Sequence, residues 1–95
     1  MSAAEATARY LVEWYRPSLE PQVIDTVVAR LDLATAGMCA EGTPVRLLMT
    51  LAVPSDEVLY AVFAANSPEL VQTACARAGA QPDRMSLDVD ARITQ

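Results

Sequence analysis

Ninety-five residues suffice for one hydrophobic core and no more, and a chain of this length buries roughly two-thirds of the surface that its unfolded form exposes. A net charge of -5, no Lys and seven scattered Arg argue against a phosphate backbone or an anionic membrane surface as the partner, because both demand clustered cations. The absence of His excludes Ser-His-Asp and Cys-His catalysis and any imidazole-ligated metal.

Residues 1–7 are small and polar and are expected to fray. They lack the basic start of a signal peptide, and no apolar run reaches the ~20 residues that span a bilayer, so the default location is the cytoplasm. From Ala8 to Tyr15 the aromatic and branched run predicts a first strand, closed by Arg16-Pro17-Ser18. Pro21 suits the first turn of a helix, and Ile24, Val27, Val28, Leu31, Thr35 and Met38 recur at helical spacing, which predicts a helix over 21–41 ended by Gly42.

The apolar run 45–53 would suit a buried strand or a short buried helix. The turn signal Pro54-Ser55-Asp56 and the similar run 57–65 favour a β-hairpin. Ser67, Pro68 and Glu69 then mark a helix N-terminus, with the Ser hydroxyl as cap. The second helix, over 68–78, faces inward with Leu70, Val71, Ala74, Cys75 and Ala78 and ends at Gly79. Over 86–93 the strict alternation of Leu87, Val89, Ala91 and Ile93 with Asp88, Asp90 and Arg92 predicts a half-buried last strand.

The order βαββαβ, with one hairpin and two crossovers, closes as a ferredoxin-like α+β domain over 1–95: a four-stranded antiparallel sheet with both helices on one face. The second and third strands are apolar on both sides, and strands of that kind are covered on both sides. A homodimer built on the face opposite the helices, as in a dimeric α/β barrel, is therefore expected.

The segments Tyr10–Tyr15, Glu41–Arg46, Val53–Glu57 and Arg77–Gly79, followed by Asp83-Arg84, resemble those of a family of small bacterial ferredoxin-like proteins of unknown function. The likeness runs from about Arg9 to Val89. It implies the same fold and dimers formed through the open sheet face. At least one relative in that family is described as nickel-binding, but soluble nickel sites use imidazole or thiolate ligands, which a chain with no His and two distant Cys does not supply. The family also resembles this chain less at Ala64, where a Glu follows the Phe of the third strand in many members.

Candidate site residues follow from the expected topology, in which the first and last strands are neighbours. Glu13, Asp88 and Asp90 would share the open face, answered by Arg9, Arg46 or Arg92, and would act as a general acid or base or as oxygen ligands for a hard cation. The competing reading is a solvated face with surface ion pairs. Tyr15, Tyr60 and Arg46 complete the expected ligand-binding set, whereas aromatic residues in strands are more often core or interface. Asp83 and Arg84, which precede the last strand, are expected to pair with each other or to brace the loop. Cys39 and Cys75 read as reduced, buried thiols with no CxxC spacing for a metal or redox centre. No Ser has a base partner, no catalytic residue is identified, and no cofactor or metal is expected. The function so indicated is small-molecule binding by a homodimer, with a cofactor-free isomerase or monooxygenase-like enzyme, or a pure interaction module, as alternatives resting on fold analogy.

Overall fold

The computed structural model describes residues 8–92, so the expected fraying of 1–7 and the inward position of Ile93 lie outside the described residues. Strand β1 (Ala8–Tyr15) leads to helix α1 (Pro21–Ala40), then β2 (Val45–Val53), a single 3-10 turn at Pro54–Asp56, β3 (Val58–Ala65), helix α2 (Pro68–Arg77) and β4 (Arg84–Ser86). All strand pairs are antiparallel, in the order β2-β3-β1-β4. This is the ferredoxin-like βαββαβ arrangement, with the two chain-central strands joined as a hairpin and the first strand paired with the last.

Alternation within each strand divides the sheet into two faces. Tyr10, Val12 and Trp14 of β1 and Leu59, Ala61, Phe63 and Ala65 of β3 point into the core. They meet Leu31, Ala34 and Met38 of α1 and Val71, Ala74 and Cys75 of α2. Burial of these side chains stabilises the fold by ~25 cal/mol per Å² of apolar surface removed from water. Trp14, 1% exposed, also donates its indole N–H to the Ala80 carbonyl at 2.9 Å, which ties the loop after α2 to β1.

Both helices end in the same way, and glycine is the reason. Gly42 and Gly79 have φ of 87° and 66°, the left-handed region that a Cβ disfavours. At the first, the N–H groups of Gly42 and Thr43 reach back to the carbonyls of Cys39 and Met38; at the second, those of Gly79 and Ala80 reach Ala76 and Cys75. These paired bonds satisfy carbonyls that the helices leave open. A bidentate ion pair, Arg77 to Glu41 at 2.7 and 2.9 Å, then links the two helix ends. The Arg77 guanidinium holds the Glu41 carboxyl below its ordinary range.

Three sequence expectations change. Ser67 sits at the N-cap of α2 but makes no side-chain cap bond, so the start of that helix relies on Pro68 and Glu69. Cys39 is exposed rather than buried, because it falls one residue past Met38 on the outward side of the last turn; only Cys75 is a core thiol. The largest change is at the last strand. Pairing with β1 covers only Arg84–Ser86, not 86–93. Continued register would set Arg9 opposite Asp88, yet the bond to the Arg9 carbonyl comes from the N–H of Val89. Asp88, with φ 54°, is the extra residue, and it ends the ladder in the manner of a bulge. Leu87, expected to point inward, is 59% exposed.

Candidate functional site

The face of the sheet away from the helices carries Arg9, Leu11, Glu13 and Tyr15 from β1 and Val58, Tyr60, Val62 and Ala64 from β3, paired one to one. From β2, Arg46, Met49, Leu51 and Val53 lie opposite the same β3 residues. A bulge at Leu48, between Leu47 and Met49, keeps the alternation of β2 in step with β3 on either side of it. Leu11, Met49, Leu51, Tyr60 and Val62 enclose a wholly apolar hollow of about 260 Å³ on this face. Leu51, 52% exposed, leaves its β2 side open to water.

Beyond Asp88 the chain leaves the sheet edge and comes over this face. Ala91 shares a second hollow, of about 290 Å³, with Arg9, Leu48, Met49 and Val62. Met49 and Val62 line both hollows, so the two adjoin at one pair of side chains. A larger polar groove of about 670 Å³ runs between α2 and the start of β4, past Glu69, Gln72, Gln81 and Asp83. It faces away from the apolar hollow and holds none of the expected site residues.

At one end of the face stands a small polar cluster. Glu13 is buried, accepts a hydrogen bond from the Tyr15 hydroxyl at 2.8 Å, and meets Arg84 at 3.8 Å. The pairing has a simple origin, since Arg84 is the residue directly across the β1–β4 ladder from Glu13. Tyr15 is shifted upward in pKa, chiefly because its proton is shared with the Glu13 carboxylate, while Arg84 pulls in the other direction. Asp83 steadies the same end of β1: its carboxylate accepts the Tyr15 backbone N–H at 2.8 Å, and its own N–H reaches the Glu13 carbonyl at 2.9 Å. Asp83 thus braces this end of β1 and does not pair with Arg84: its ion-pair partner is Arg16 at 3.8 Å, while Arg84 turns to Glu13.

Of the six expected site residues, the fold brings three together. Glu13, Tyr15 and Tyr60 are neighbours, with Tyr60 paired to Glu13 across the β1–β3 ladder. Arg46 shares their face but stands at its opposite end, opposite Ala64, so it is not the answer to Glu13. Asp88 and Asp90 do not join Glu13, because the bulge at Asp88 ends the strand that would have carried them there; Asp90 pairs with Arg92 instead, at 2.9 and 3.1 Å. Among the described residues no group of three or more Cys, Asp and Glu could hold a metal ion. The proposed carboxylate triad is thus not formed. The sequence pattern gives Arg84 a place before the last strand and not its pairing with Glu13, because the strand starts two residues earlier than the alternation over 86–93 indicates.

Fold and face together define a ferredoxin-like α+β protein with an apolar sheet surface that its own helices do not cover. The chain matches no family model and no curated protein sequence. Its structure is similar to the crystal structure of SCO4226 from Streptomyces coelicolor A3(2), with a TM-score of 0.65 and 19% identity over 90% of this chain and 100% of that one. That likeness supports the fold. Among the described residues no helix is long and apolar enough to cross a membrane.

Proposed function

We propose that this chain is a cytoplasmic small-molecule-binding protein that works as a homodimer, two copies apposing their open sheet faces in the manner of a dimeric α/β barrel. The observation that carries this reading is the apolar hollow of Leu11, Met49, Leu51, Tyr60 and Val62 on a face that no helix covers. A concave apolar surface with a few polar groups at its rim is the usual form of a small-ligand site. The polar groups here are Glu13, Tyr15 and Arg84 at one end and Arg9 and Arg46 at the other. The segment through Ala91 covers part of the face, so the second copy would meet chiefly Leu48, Leu51 and Tyr15, all exposed in the single chain. Covering them would remove further apolar surface from water, the general driving force for association.

Light scattering at micromolar concentration, with native mass spectrometry of freshly purified protein, tests both halves of the proposal. A dimer carrying a retained small molecule is expected. Leu51→Asp changes a residue that is half exposed in the single chain, so it should leave the fold intact and shift the population to monomer. A monodisperse wild-type monomer overturns the dimer, and a wild type that retains and binds no small molecule overturns the binding role.

A further inference from the structure

Seven Arg are the only cationic side chains in an acidic protein, and their placement is uneven. Among the described residues four of them pair with carboxylates: Arg16 with Asp83, Arg77 with Glu41, Arg84 with Glu13 and Arg92 with Asp90. Arg9, Arg30 and Arg46 do not; Arg30 stands on α1, beside Leu33 and Arg77 on the helix side, whereas the register brings Arg9 and Arg46 together on the open sheet face. Arg9 lies directly across from Ala64 on one side, and Arg46 lies directly across from the same Ala64 on the other. Neighbouring strands are ~4.8 Å apart, so the two Cα positions are separated by roughly 10 Å, within reach of two long side chains converging on one group. Between them Ala64 contributes only a methyl, which leaves room above the sheet.

Both Arg9 and Arg46 are exposed, so water screens their mutual repulsion, while an anion seated between them is attracted by both. Arg9 also lines the hollow of about 290 Å³ with Leu48, Met49, Val62 and Ala91, and this hollow adjoins the wholly apolar one at Met49 and Val62. A positive end therefore leads into an apolar trough.

Resting on the proposal that this face takes a small molecule, the geometry points to its class: an amphiphilic monocarboxylate. Its carboxylate is held between Arg9 and Arg46, and its hydrocarbon part lies over Met49 and Val62 toward Leu11, Leu51 and Tyr60. Guanidinium groups suit this role because their fixed N–H forks match a carboxylate and remain charged at every physiological pH. Each hollow alone is small for a ligand site, and the two lie end to end with Met49 and Val62 between them, a shape that suits a medium-length hydrocarbon chain. The buried Glu13 carboxylate at the far end sets the direction, since it disfavours a second anion there.

The test is calorimetric titration of the full chain with octanoate and, separately, with octanol, which has the same chain without the charge. Octanoate should bind about tenfold or more tightly than octanol, the difference expected of charge-assisted bonds. Replacing both arginines, Arg9→Gln with Arg46→Gln, should lower octanoate to the octanol level and leave octanol unchanged. Octanol binding thereby reports that the variant is folded. Equal affinities in the wild type, a charge preference that survives the double substitution, or no binding of either probe each overturns the assignment. Light scattering on the same samples reads the dimer separately: a monomer that still prefers octanoate supports the ligand class and sinks the dimer, whereas a dimer retaining some other molecule but indifferent to octanoate does the reverse.

Discussion

The Tyr15 hydroxyl donates to the Glu13 carboxylate at 2.8 Å, two residues along the same face of one strand. Ionising the phenol destroys that bond and sets two negative groups side by side, which is why the Tyr15 pKa lies above the ordinary phenol range. A pKa raised by folding contributes stability that is complete below the unfolded value and is lost as pH rises through the folded one. The stability advantage of wild type over Tyr15→Phe should accordingly be constant from neutral pH to about pH 10 and shrink in more alkaline solution. Glu13→Gln should bring the Tyr15 titration, followed by phenolate absorbance, down toward its ordinary value. An alkaline range with no change in the Tyr15→Phe difference would count against the bond.

Trp14 gives a second prediction, about stability alone. Its indole N–H satisfies the carbonyl of Ala80, and both residues are buried. Trp14→Phe leaves that carbonyl unpaired in the core at a cost of about 1–3 kcal/mol, to which the lost ring volume adds. Urea unfolding measures it. A change within about 0.5 kcal/mol, typical of surface sites, would mean that water reaches Ala80.

The break in the last strand rests on Asp88, whose φ of 54° is open to Gly at no steric cost and penalises a branched side chain. Asp88→Gly should leave stability within a few tenths of a kcal/mol, whereas Asp88→Val should be about 1–2 kcal/mol less stable than the Gly variant. The same unfolding experiment ranks them. Val equal to or better than Gly would show that residues 86–93 continue as a strand after all.

The two thiols should differ sharply toward an alkylating reagent. Cys39 is exposed, while burial pushes the Cys75 thiol up to about 12, leaving almost no thiolate at neutral pH. One group per chain should react quickly in the native protein, and two in denaturant. Two fast thiols in the native state would contradict the packing of α2 against the sheet, and none in denaturant would reveal a disulfide.

Much of this structure was legible in the sequence because local chemistry specifies it. The strand β1, the hairpin of β2 and β3, both helices and their glycine ends follow from side-chain period, proline position and the φ that Gly42 and Gly79 allow. The apolar character of both faces of β3 was equally visible. What local pattern could not carry was register. Alternation over 86–93 is satisfied by any extended segment, and it says nothing of which residue of β1 each one meets. Only the tertiary structure decides that Arg84 faces Glu13, that the ladder breaks at Asp88, and that Asp90 turns to Arg92 rather than to Glu13. Only it sets Arg9 and Arg46 on either side of Ala64, since residues 37 positions apart in the chain meet there through pairing with a third strand. Sequence fixes which way a side chain points within its own strand; the partner it finds depends on backbone hydrogen bonds to strands distant in the chain, and one extra residue in a ladder is enough to change every pairing beyond it.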